Sequence, residues 1–208
     1  MSRKFSNLTL AFCLRGILIF SGAVLIFPPA LPAEQFEIWA EHSDALYRFQ
    51  EHLLEAEASV LLKGREPLIG TWKEDRFYFP ELTPLAQVKL IEEQSPEGKG
   101  KAVRFNPVEK AVRRLVFHDV PPGSRLDFFY KVSAGSKKEP SPYLLLKILA
   151  GRHLIKSMRI FQQDENWKKE EIDLGVAAFL KRRTLVTFEV SSDFTENLLF
   201  TFAGEIRQ

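Results

Sequence analysis

The side chains able to do acid–base or metal chemistry are scattered along this sequence rather than grouped. His42, His52, His118 and His153 stand in neither an H-E-x-x-H helix nor a cysteine–histidine zinc spacing. Cys13 is the only cysteine and lies far upstream of all four, so no thiolate site is expected. No serine sits in G-x-S-x-G, the elbow that presents a hydrolase nucleophile. Gly98-Lys99-Gly100-Lys101 lacks the earlier glycine and the following Ser or Thr of a phosphate-binding loop, and it reads as a solvated turn. His118 precedes Pro121-Pro122 at a strand end, where a structural hydrogen bond fits better than a general base. The chain is therefore read as a non-enzyme. A glycoside hydrolase with two converging carboxylates is a weaker alternative, since the 27 acids offer no reason to choose a pair.

Aromatic side chains are the better binding candidates, because an apolar sugar face stacks on Trp or Tyr rings. Trp72 lies in the polar, turn-like Gly70-Thr71-Trp72-Lys73-Glu74-Asp75, Tyr143 follows Pro140-Ser141-Pro142, and Trp167 follows Asp164-Glu165-Asn166. Each also reads as a packed core or rim residue. Asp164 with Glu165, and Asp193 with Glu196, supply oxygens of the kind calcium takes, or are ordinary solvated turns. Arg113-Arg114, Lys137-Lys138, Lys168-Lys169 and Lys181-Arg182-Arg183 read as exposed strand ends, with an anionic lipid or polymer as the other reading.

Strands must position these residues. Leu126, Phe128, Tyr130 and Val132 alternate with Arg125, Asp127, Phe129 and Lys131, the period of a half-buried strand. Val112 to Val120 precedes it across a Pro121-Pro122-Gly123-Ser124 turn. Tyr143 to Ala150 is apolar on both faces apart from Lys147, which predicts a central strand, and Gly151-Arg152 fits a two-residue hairpin loop into His153 to Phe161. Trp167 opens a strand that ends at Ile172-Asp173-Leu174, and Thr184 to Val190 and Leu198 to Ile206 follow. Gly204 in the last strand marks a bulge or a close backbone approach. Upstream, Arg76 to Phe79, Leu85 to Ile91 and Lys101 to Phe105 read as strands, and Ser43 to Leu62 as a short strand and a turn, with a helix as the competitor. Eight to ten strands without a repeat predict a mainly β fold, a single antiparallel β-sandwich or jelly roll.

Between Val112 and Ile206 the chain resembles galactose-binding-like jelly rolls of the carbohydrate-binding-module type. The resemblance rests on His118-Asp119-Val120-Pro121-Pro122-Gly123-Ser124-Arg125-Leu126-Asp127-Phe128, on Trp167 followed by Ile172-Asp173-Leu174, and on Thr184 to Val190. Leu46 to Val60 extends it weakly. It implies a non-catalytic domain that binds sugars, lipids or proteins through loops at one end, in many cases with a structural calcium. It also implies that Trp167 packs inside.

Residues 1–33 read as an export leader. Arg3, Lys4 and Arg15 are its only charges, Gly16 to Phe27 is uncharged, and Pro28-Pro29 precedes Ala30-Leu31-Pro32-Ala33. Cleavage after Ala33 competes with an uncleaved hydrophobic helix over residues 8–27, the one route to a membrane. Cys13 lies on the wrong side of the apolar run for a lipoprotein. The chain has 29 Lys plus Arg; setting aside those three leaves 26 against 27 acids from Glu34 onward, a balance that argues against a nucleic-acid partner. The expectation is an exported protein, periplasmic, secreted or inner-membrane-anchored. Residues 34–208 form its β-sandwich, which binds a glycan or a protein partner. A membrane-tethered envelope scaffold is the alternative.

Overall fold

Segments that alternate apolar and polar side chains bury one face, and two such layers close a core between them. The structure is a computed structural model describing residues 44–83, 86–95, 98–134, 143–161, 166–174, 183–193 and 198–208. Residues 1–33, read above as the leader, lie outside that set. The strands are β1 (Ala45–Arg48), β2 (Glu57–Leu62), β3 (Leu68–Ile69), β4 (Thr71–Lys73), β5 (Arg76–Tyr78), β6 (Val88–Ser95) and β7 (Gly98–Arg104). They continue as β8 (Ala111–Val120), β9 (Arg125–Ala134), β10 (Tyr143–Ala150), β11 (His153–Phe161), β12 (Lys168–Asp173), β13 (Thr184–Ser191) and β14 (Leu198–Arg207).

Sheet A runs β12-β9-β14-β7-β6-β5-β4, with β1 paired to β14, and sheet B runs β11-β10-β13-β8-β2-β3. Among the described residues all strand pairs are antiparallel. From β7 onward the chain repeatedly crosses between the sheets, as a jelly roll requires. The fold is mainly β, a two-sheet antiparallel sandwich.

Phenylalanines from both sheets meet in the centre. Phe188 of sheet B lies 5.8 Å from Phe128 and 4.9 Å from Phe202 of sheet A, and Phe49 packs edge-on against Phe117 at 4.9 Å. Each buried ring contributes about 1.5–3 kcal/mol through the water it sheds. Gly204 supports this packing by close approach, without a bulge. A Cβ there would press on Phe49 at 3.1 Å, and its N–H donates to Gln50 Oε1. Gly123 is fixed more tightly, because an added Cβ would collide with the Ile206 side chain and the Arg207 carbonyl.

Several strand boundaries differ from the sequence reading. Arg76 to Phe79 is β5 as read, but β3 and β4 span two or three residues each, too short for alternation to register, and with β2 they carry the described strands beyond the eight to ten expected. Ser43 to Leu62 does begin as strand then turn, with a 3-10 turn at Leu53–Glu55, but β2 follows at once. Tyr143 to Ala150 takes its central place between β11 and β13.

Arg113 departs from the exposed strand end read for Arg113-Arg114. Alternation along β8 sends Arg113 inward with Leu115 and Phe117, leaving Arg114 outside on Glu189 at 2.7 Å. Arg113 is fully buried; Nη1 donates to the Asn106 carbonyl at 2.6 Å, and its guanidinium lies 5.2 Å from the Phe79 ring and 5.6 Å from Phe105. Burial pushes its pKa down to about 9.

Candidate functional site

Strand register builds the most distinctive surface, on the outer face of sheet A. Inward positions Trp72, Phe77, Val88, Leu90, Val103, Phe202 and Tyr130 belong to the core or pack against it, so the next residue along each strand faces out. Lys73 pairs with Arg76, Arg76 with Lys89, Lys89 with Arg104, Arg104 with Thr201, and Thr201 with Lys131. Five cations and one threonine thus form a single lateral row across β4, β5, β6, β7, β14 and β9.

Long side chains converge over this face. Lys131 on β9 and Glu93 on β6 are separated by β14 and β7, about 14 Å across the sheet, and Glu93 stands four residues beyond Lys89, the position in line with Lys131. Twist between successive strands turns such diagonal neighbours toward each other. Lys131 Nζ reaches Glu93 Oε2 at 3.2 Å, and Arg104 Nη2 lies 3.6 Å from the same carboxylate. Small buried residues, Ala102 and Ala203, lie beside Thr201 on this face. Trp167, just before β12, lies half-buried against Phe129 and Ala203 on this face. Lys169 Nζ lies 5.4 Å from the Phe129 ring.

Beside the row, strand register also sets two acids face to face, Asp127 of β9 and Glu205 of β14, 1% and 2% exposed. Arg207 joins them, with Nε 3.0 Å from Asp127 Oδ2, Nη2 2.8 Å from Glu205 Oε2, and Nη1 2.7 Å from Asp44. Arg125 and Lys169 also contact Asp127, at 2.7 and 3.3 Å, and Arg48 contacts Glu205 at 3.0 Å. Each carboxylate is enclosed by at least two cations, an arrangement that fixes β1, β9 and β14 together. It offers neither acid to a substrate.

The residues singled out in sequence do not converge. Trp72 stands in β4 rather than a turn and packs edge-on against Phe77 at 5.0 Å. Tyr143 opens β10 on sheet B, with Arg159 5.7 Å above its ring and Phe161 6.0 Å away. Nearby, Tyr130, Val132, Ile160, Phe161, Asn166 and Lys168 line a recess with room for about one water molecule. Trp167 alone lies on the cationic face, outside the sandwich interior that the resemblance implied for it. Asp164, Glu165 and Glu196 lie outside the described residues, and Asp193 is exposed. Among the described residues no three potential metal ligands gather. His118 Nε2 lies 3.1 Å from Glu57, a surface contact. The cation row was not legible in sequence, because its members are separated by up to 58 positions and only register aligns them.

No protein-family model matches the chain, and no curated protein does. Solved structures do match. Among them are carbohydrate-binding modules. A family 61 module in complex with beta-1,4-galactotriose is 18% identical, over 58% of this chain and 82% of its own, with a TM-score of 0.37. A family 28 module specific for non-crystalline cellulose is 12% identical over 57% and 78%, with a TM-score of 0.41. A xylan-binding family 15 module is 8% identical over 73% and 92%, with a TM-score of 0.38. Likeness at this level assigns neither ligand nor site, and the sandwich stands on the strand order itself.

Proposed function

We propose that the domain is a non-catalytic glycan-binding module that works outside the cytoplasm. The observation that carries this reading is the outer face of sheet A. It combines Trp167 at one end with a line of hydrogen-bond donors across six strands. A polysaccharide is recognised by that combination, since its hydroxyls need donors and its ring faces need an aromatic surface. The enclosure of Asp127 and Glu205 by cations favours binding over hydrolysis. Export rests on the leader pattern of residues 1–33.

Affinity electrophoresis of the full chain through gels containing a panel of soluble polysaccharides tests the reading. Retardation by at least one polymer, lost in Trp167→Ala, is the expected result. Unretarded migration in every gel sinks it.

The tethered alternative rests on Leu8 to Phe27, twenty residues with Arg15 as the only charge. Membrane fractionation in high salt separates the two, because a cleaved, secreted module leaves with the soluble fraction.

A further inference from the structure

Like charges placed directly opposite each other destabilise an antiparallel sheet. Sheet A nevertheless sets three such pairs side by side: Lys73 with Arg76, Arg76 with Lys89, and Lys89 with Arg104. Internal neutralisation is incomplete. Arg76 Nε meets Asp75 at 2.8 Å, while Arg104 and Lys131 share Glu93. Lys89 and Lys73 form no ion pair among the described residues, and Lys73 instead lies 5.0 Å over the exposed Tyr78 ring. Arg104 Nε is buried and donates to no partner. Five cations against two carboxylates leave three positive charges in excess along one line.

We propose that this row is the subsite of an acidic polysaccharide, whose carboxylate or sulfate groups supply the counter-charges missing on Lys73 and Lys89 and the one that Arg104 and Lys131 lack between them while sharing Glu93. The proposal rests on the glycan-binding reading above and names its ligand class. Cations on neighbouring strands recur about every 4.8 Å, a period comparable with the units of an extended sugar chain carrying one charge per unit. A single line of cations matches a linear chain, whereas a bilayer surface calls for a broad basic patch. The near balance of 26 cations and 27 acids from Glu34 onward gives no broad positive field of the sort nucleic-acid binding needs.

Titration calorimetry on the full chain tests this with polygalacturonate, methyl-esterified polygalacturonate, dextran sulfate, neutral galactan, a short DNA duplex and phosphatidylglycerol vesicles. Binding to polygalacturonate or dextran sulfate is expected, weakening as salt is raised. Esterification and the double substitution Lys89→Gln/Arg104→Gln each weaken polygalacturonate binding by about tenfold or more. If dextran sulfate alone binds, the same loss is expected in the double variant. Circular dichroism unfolding of that variant, at a midpoint no lower than wild type, shows that the loss is not a folding defect. Neutral galactan bound as tightly as the acidic polymers, or a double variant that binds normally, overturns the acidic subsite and leaves the glycan reading standing. Tighter binding to DNA or to vesicles overturns the polysaccharide assignment. Binding to nothing in the series overturns the acidic subsite, and retardation or free migration in the polysaccharide gels decides the glycan reading separately.

Discussion

Lys89 of β6 and Arg104 of β7 stand directly opposite each other across the strand pair, and Arg76 flanks Lys89 from the other side. A fold under selection for stability alone has no use for that arrangement. Lys89→Gln removes one member of two repulsive pairs while keeping an unbranched, polar side chain one atom shorter. The variant should be more stable than wild type by about 0.2–1 kcal/mol in low salt, with the gain shrinking as salt screens the row. Urea unfolding at low and high salt measures it, and a loss of stability would mean that Lys89 has a structural partner.

The Arg207 cluster should behave in the opposite sense. Burial works against the Arg207 guanidinium, but Glu205, Asp127 and Asp44 together hold its pKa above the ordinary arginine value. Arg207→Ala leaves two buried carboxylates short of a cation and should cost about 3–5 kcal/mol. Asp44 is mostly exposed, so Asp44→Ala should cost no more than about 1 kcal/mol. Denaturant midpoints of the two variants, compared with wild type, decide whether the cluster holds the strands together.

Arg113 gives a pH test. Its folded pKa of about 9 lies below the value an arginine keeps in an unfolded chain. Above about pH 9 the unfolded chain therefore binds more protons, and this group's contribution to stability rises with pH. Below pH 9 the full cost of burying the charge applies. Arg113→Met, of similar shape without charge, should be more stable than wild type by about 1 kcal/mol at pH 7. That advantage should stay flat up to about pH 9 and narrow above it. Paired unfolding curves across this range check both points, and an advantage that widens above pH 9 would reverse the sign.

Gly123 closes the turn into β9 against the last strand, and Ser124 N–H donates to the Arg207 carbonyl at 2.9 Å. Gly123→Ala forces that turn away from β14 and should destabilise by at least about 2 kcal/mol. Thermal unfolding by circular dichroism reads it directly. A midpoint equal to wild type would show that the turn gives way freely.

The core of this fold was legible in the sequence because alternation marks any strand long enough to repeat. Leu126 to Val132 and Thr184 to Val190 take the inward and outward sides that their pattern predicts, and Tyr143 to Ala150 lies between two strands as its apolar run predicts. β14 shows where the signal ends. Its Thr201, Glu205 and Arg207 look solvent-facing in sequence, yet all are buried, and Arg48 of β1 and Asp127 of β9 pair with Glu205 and Arg207 there. The binding face was hidden for the same reason. Lys73, Arg76, Lys89, Arg104 and Lys131 carry no local spacing, and only the pairing of six strands brings them into line.

If ligand meets sheet A and not the Tyr143 edge of sheet B, polygalacturonate affinity separates Lys89→Gln/Arg104→Gln from Tyr143→Ala. A loss of about tenfold or more, about 1.4 kcal/mol, is expected in the first and wild-type affinity in the second. An unchanged double variant with a weakened Tyr143→Ala would contradict that placement.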